Sequence, residues 1–321
     1  MPQQVHAPLL GIALKAVAVL CFTVMLALAR GYGEYPLTVV IFFRSFFALG
    51  VLVAWLAWRG AFPRALYTRR FPAHLFRSMA GIGSMFFTFA AFRLLPLADA
   101  TALGYVQPLM VVILAAIVLR EKLTSLRVFS VFAGFAGILL MLWEHIGSGG
   151  PASDDGALGA FCAIVGALLI AIGFIQIRRL TLTEDTGAIA FYFQGTTTLV
   201  AVAVLVAAVV WPPGAPLAEF IKAQVWIWPR GIDWFPLISI GILGGVGQIL
   251  MTQGFRYADT SILAVFDYSS LVWAVLIGLV VFSEVPTIFV MLGAAIVIGA
   301  GLMVVWEENR LRKTAMRRKA A

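Results

Sequence analysis

Charge is scarce in this chain. Of its 321 residues 62% are hydrophobic and 12% charged, about half the charged share of a soluble domain. A water-soluble fold is excluded on that ground. Three histidines, His6, His74 and His145, stand at or beyond the ends of apolar runs. No imidazole is expected to relay protons inside a bilayer. The single asparagine, Asn309, also lies outside those runs. Cys21 and Cys162 sit inside apolar runs with no CxxC or Cys/His spacing, so neither a metal site nor any role beyond packing is expected of them. Gly147-Ser148-Gly149-Gly150 lacks the Lys-Ser/Thr of a phosphate-binding loop, and HExxH, GxSxG and paired carboxylates are missing. No enzyme and no cofactor are expected.

What the chain does have is long hydrophobic runs. A spanning helix needs roughly 20 apolar residues. Ten candidates fall at 9–29, 37–58, 75–95, 100–119, 126–144, 157–177, 187–210, 235–256, 260–282 and 287–306. Gly31 to Pro36 breaks the first pair, and Gly147 to Gly156 separates the fifth from the sixth. The first run has neither a charged n-region nor a small-residue cleavage site before it, so it reads as a retained helix.

The net charge of +8 does not point to nucleic acid, because the basic residues flank apolar segments, which is how membrane topology is written. With the N-terminus inside, the inner loops hold Arg59, Arg64, Arg69, Arg70, Arg77, Arg120, Lys122, Arg127, Arg178, Arg179 and Arg256, and the basic tail follows. The outer side holds Arg30, Arg93, Lys222 and Arg230. Both termini are therefore expected in the cytoplasm.

The second half repeats the first. An offset of 163 lays residues 75–145 on 238–308 without a gap. Arg93 meets Arg256, Tyr105 meets Tyr268, Glu121 meets Glu284, Thr124 meets Thr287 and Trp143-Glu144 meets Trp306-Glu307. Five helices per repeat is an odd number, so the second copy enters from the opposite face. The expected fold is an all-α integral membrane protein of ten transmembrane helices in two inverted five-helix repeats. The first repeat covers 1–146, a linker 147–156, the second repeat 157–308 and a basic cytoplasmic tail 309–321.

Leu95-Pro96-Leu97-Ala98-Asp99-Ala100 leads into Tyr105-Val106-Gln107-Pro108-Leu109 and closes at Leu119-Arg120-Glu121. Tyr257-Ala258-Asp259-Thr260-Ser261 leads into Phe266-Asp267-Tyr268 and closes at Ser283-Glu284-Val285-Pro286. This pattern resembles the drug/metabolite transporter superfamily in its EamA-type branch. The resemblance covers nearly the whole chain and implies ten helices, inverted repeats and a central cavity. Gly usually precedes the closing Glu in that family; here Arg120 and Ser283 stand there. The expected function is secondary transport of small organic metabolites across the bacterial inner (plasma) membrane by alternating access. The alternative is a non-transporting scaffold or sensor on the same bundle.

Three ionisable residues lie well inside apolar segments, Lys15, Arg44 and Asp267, and each costs about 2.5–3.5 kcal/mol at a helix centre. Asp267 is the first candidate for substrate binding or coupling, and Ser270 shares its helix face. A polar contact between helices explains Asp267 equally simply. Lys15 and Arg44 reach water by snorkelling or face the cavity. By depth, Lys15 is the better ionic partner for Asp267, which makes it a coupling candidate too. Tyr105, Gln107, Gln248 and Tyr268 complete the substrate-binding set. Tyr105 and Tyr268 suit a planar or amphipathic solute, or pack between helices. The glycines and alanines of 293–301 give the tenth helix a close-packing face, inside the bundle or in a possible homodimer.

Overall fold

The computed structural model describes residues 7–30, 35–94, 103–141, 154–210, 221–282 and 287–320, and among them no strand occurs. The chain runs α1 (Pro8–Arg30), α2 (Leu37–Trp58), α3 (Phe71–Leu94), α4 (Gln107–Val118), α5 (Ser125–Met141) and α6 (Asp154–Leu180). It continues with α7 (Thr186–Val210), α8 (Trp234–Tyr257), α9 (Thr260–Val265), α10 (Ser269–Phe282) and α11 (Ile288–Ala320). Each of the ten apolar segments carries helix. By length and composition α1, α2, α6, α7, α8, the α9–α10 segment and α11 are long and apolar enough to cross a membrane, and α4 and α5 are shorter apolar helices.

Three boundaries differ from the sequence expectation. α3 starts at Phe71, four residues early, so Arg77 stands two turns into a helix rather than at its mouth. α6 begins at Asp154, inside the expected linker. α11 does not stop at 306; it runs 33 residues to Ala320, and the basic tail continues the helix. The closing motif at Glu284, the opening motif 95–100 and Trp143-Glu144 lie outside the described residues.

Apolar side chains face outwards all along the bundle. Leu26, Leu199 and Val280 are more than 60% exposed, whereas Lys15, Gln194 and Thr252 are at most 1% exposed. Water would not tolerate that arrangement, and lipid favours it.

Inside, small residues set the helix spacing. α3 packs on α6 and α8 packs on α1; α2 packs on α8 and α7 on α3. A Cβ on Gly241 would collide with Phe47, and one on Gly245 would stand 3.1 Å from Ala48 Cα, so the small-residue pair of α8 fixes its approach to α2. α5 and α11 meet through Gly137 and Gly293, which puts part of the tenth segment's small face inside the bundle. A Cβ on Gly137 would sit 2.9 Å from the Gly293 carbonyl oxygen. Gly137→Ala is therefore expected to lower stability by about 1–3 kcal/mol. Thermal unfolding of the purified protein in detergent checks this; an unchanged midpoint would contradict so close an approach.

Outside the apolar spans, Tyr35 donates to the Asp233 carboxylate at 2.6 Å. That bond raises the Tyr35 hydroxyl above its ordinary pKa. Trp226 packs on Phe42 and Phe43 at ring distances of 5.3 and 5.4 Å, which anchors the loop before α8 onto α2.

Candidate functional site

The ninth segment is not one uniform helix. Between α9 and α10 the backbone tightens into a 3₁₀ turn at Phe266–Tyr268. Such a turn inside a helix is uncommon and often marks a hinge or a site. Asp267 is its central residue.

The Lys15 ammonium of α1 lies 2.6 Å from Asp267 Oδ1, with the lysine side chain 1% and the aspartate side chain 14% exposed. Lys15 therefore does not snorkel. Its ammonium also lies 4.4 Å from the ring centre of Phe174 and 5.3 Å from that of Phe255. Two ring faces and one carboxylate replace the water such a cation loses. From α4, Gln107 Nε2 donates to the other carboxylate oxygen of Asp267 at 3.4 Å. The Tyr105 hydroxyl reaches Ser270 Oγ at 2.8 Å, and Ser270 in turn donates to the Asp267 carbonyl at 2.8 Å. Lys15, Tyr105, Gln107, Asp267 and Ser270 thus form one array joining α1, α4 and the broken ninth segment.

Tyr268 differs from its repeat partner. Its ring centre is 6.2 Å from that of Tyr105, but Tyr268 is fully buried against Gly134 and its hydroxyl has no partner among the described residues. Gln248 stands apart, its amide donating to Thr252 of its own helix at 3.2 Å. Arg44 forms no ion pair with Asp267, whose carboxylate is taken by Lys15. A Cβ on Gly244 would come within 3.4 Å of its Cγ and Nε, so Arg44 turns into the bundle over α8.

A second polar cluster was not expected from sequence. Arg127 of α5 donates to Asp259 at 3.4 Å and to Glu308 of α11 at 3.3 Å. Arg178 of α6 donates to Asp259 at 3.4 Å and to the Phe255 carbonyl at 2.6 Å. Glu121 accepts the backbone N–H groups of Thr260 and Ser261 at 2.9 and 3.0 Å, capping α9 with a negative charge. The closing Glu of the first repeat thus holds the start of the ninth segment. Arg127 and Arg178 were visible only as topology signals, and nothing in their spacing marks the cluster.

A model of the EamA-like transporter family matches residues 9–143 and 157–306. The chain is 28% identical to the pseudopaline exporter CntI of Pseudomonas aeruginosa over 90% of this chain and 94% of that protein. It is 28% identical to a riboflavin transporter of Brucella anthropi over 87% and 92%. With an S-adenosylmethionine uptake transporter of Rickettsia prowazekii it shares 25% identity over 84% and 83%. A solved crystal structure superposes with a TM-score of 0.79 at 20% identity, over 95% of this chain and 99% of the other, and so shares its fold.

Proposed function

The chain belongs to the EamA-like transporter family, a family of membrane transporters and not enzymes, and from that premise we propose that it moves a small organic metabolite across the bacterial inner membrane by alternating access. Ten spans in two inverted repeats, 1–146 and 157–308, with both termini in the cytoplasm, make up the proposed machine.

Several contacts favour this architecture. Exchanging the first five segments with the last five turns the α3–α6 packing into α8–α1, and the α2–α8 packing into α7–α3. Both members of each pair exist. Tyr105 and Tyr268, one repeat apart, meet ring to ring. Arg127, Arg178, Asp259 and Glu308 would all stand on the cytoplasmic face in the proposed topology, and they touch one another. That cluster is the proposed cytoplasmic gate, closed in this conformation.

The observation that carries the substrate site is the array around Asp267. It is a charged and hydroxylated contact across three helices in an apolar bundle, and intramembrane ionisable groups mark substrate or ion paths. Tyr105, Gln107, Asp267 and Ser270 are proposed to meet the cargo. Lys15 holds the carboxylate until the carrier changes state.

Counterflow in liposomes tests the reading. Vesicles holding the purified protein and a concentrated metabolite are expected to take up the labelled metabolite against its gradient, for at least one solute found by thermal shift. Tyr105→Phe and Gln107→Ala are each expected to cut that uptake about tenfold, because a site built to hydrogen-bond a ligand suffers when one group is lost. Uptake unaffected in both variants would move the site elsewhere. Binding without any exchange would favour a sensor over a carrier.

A further inference from the structure

We propose that Arg44 and Arg77 together form a site for an oxyanion, a carboxylate or phosphate group, inside the bundle. The two arginines lie on different helices, α2 and α3, and Arg44 is the charged neighbour that acts on Arg77. Nε and Nη1 of both are enclosed and have no hydrogen-bond partner among the described residues. Arg77 is 5% exposed. Its guanidinium carbon lies 3.5 Å from the ring centre of Phe193 on α7. Gln194, the next residue along α7, is fully buried, with both amide atoms lacking a partner among the described residues.

The absent partner is what makes this arrangement informative. A buried guanidinium is normally paired or fully hydrogen-bonded. Here two guanidiniums are enclosed, and the charge of Arg44 acts on Arg77. Glu184 stands 3.6 Å from His74 and forms no ion pair with Arg77. Snorkelling does not rescue Arg44, because two of its nitrogens point into protein rather than to a headgroup. An oxyanion removes every part of the penalty. Its charge compensates both cations and its oxygens accept from the guanidinium forks. Arginine suits this better than lysine, since its planar fork matches carboxylate and phosphate geometry.

The site is separate from the Asp267 array, where Lys15 already has its carboxylate. Together they make a carrier interior with one neutralised pair and, among the described residues, one positive pair without an acid partner. The cargo would then be anionic, or zwitterionic with its acidic end towards Arg77. That last statement rests on the transport reading; anion binding itself does not.

The test uses the full-length protein in detergent. Thermal unfolding is followed with rising sodium phosphate in one arm and sodium succinate in another, each matched in ionic strength by sodium chloride. The wild type is expected to show a saturable rise in midpoint of about 2 °C or more with at least one of them. R77Q and R44Q are expected to lose that rise and, without anion, to melt no lower than wild type, because each removes an unpaired buried cation. Arg256→Gln, outside the site, keeps the rise. A response to succinate alone assigns a carboxylate, and to phosphate alone a phosphate. Three results overturn the proposal: neither anion exceeding chloride, a rise that persists in both variants, or failure of both variants to fold, which would make the guanidiniums structural ties. Anion binding without solute exchange in liposomes would leave this site standing and sink the transport reading; exchange without any anion effect would do the reverse.

Discussion

Asp267→Asn is expected to destabilise the protein by about 3–5 kcal/mol, and adding Lys15→Met is expected to restore most of the loss. The reason is the asymmetry of a buried ion pair. Lys15 is 1% exposed and its ammonium has one carboxylate, at 2.6 Å. Removing that carboxylate leaves a cation with only the faces of Phe174 and Phe255, each worth about 2 kcal/mol in a desolvated site and less than the carboxylate they would have to replace. Lys15→Met alone costs less, because Asp267 keeps a 14% exposed side chain and its hydrogen bond from Gln107. The double variant has no buried charge to desolvate, and Met fills a lysine-shaped space. It should unfold within about 1 kcal/mol of the wild type, since replacing both partners of a buried pair is often neutral. Four midpoints in a double-mutant cycle give the coupling directly. Transport then separates tie from mechanism. The folded double variant is expected to exchange solute at least tenfold more slowly than wild type. Exchange at the wild-type rate would leave the pair a structural tie and remove Asp267 from the mechanism.

Much of this was legible in the chain. The second segment, read as 37–58, is the helix Leu37–Trp58. Counting about 1.5 Å per residue from the cytoplasmic ends put Lys15 at the depth of Asp267 rather than Arg44, and the structure joins those two. Sequence reasoning failed where one residue type carries two messages. Arg77, Arg127 and Arg178 all obey the topology rule, so their basicity was spent on explaining orientation. Arg77 and Arg127 are also buried, and nothing local distinguishes a buried arginine from one at a headgroup. Arg77 was further hidden by the early start of α3 at Phe71. The 3₁₀ turn at Phe266–Tyr268 has neither Gly nor Pro to announce it. Tyr268 matches Tyr105 in sequence, yet Gly134 on α5 leaves room for the ring and buries it completely. Such differences between repeats come from neighbours distant in sequence.

Arg127→Met is expected to open the proposed cytoplasmic gate. Arg127 is the hub of that cluster, donating to Asp259, Glu308 and Ser261 and bringing α5, α11 and the start of the ninth segment together. Without it, Asp259 keeps Arg178, but Glu308, 7% exposed, loses its cation. The closed conformation should lose about 3 kcal/mol, the lower end of the cost of breaking a buried pair. An open conformation, in which water reaches these groups, loses little. The equilibrium therefore shifts towards the open side, and each 1.4 kcal/mol of differential stability is a tenfold change in population. Ser261 reports the shift, because it is fully buried in the closed state. In a variant carrying Ser261→Cys, modification by a charged maleimide from the cytoplasmic side is expected to accelerate at least tenfold when Arg127→Met is added. Arg127→Lys should recover little, since one ammonium cannot span two carboxylates and a hydroxyl as the guanidinium fork does. Combining Arg127→Met with Glu308→Gln should recover stability but not closure, because the tie between α5 and α11 is still missing. Equal labelling rates with and without Arg127 would mean that the cluster does not control access from that side, and the gate would have to be sought in the packing of Gly137 on Gly293 instead.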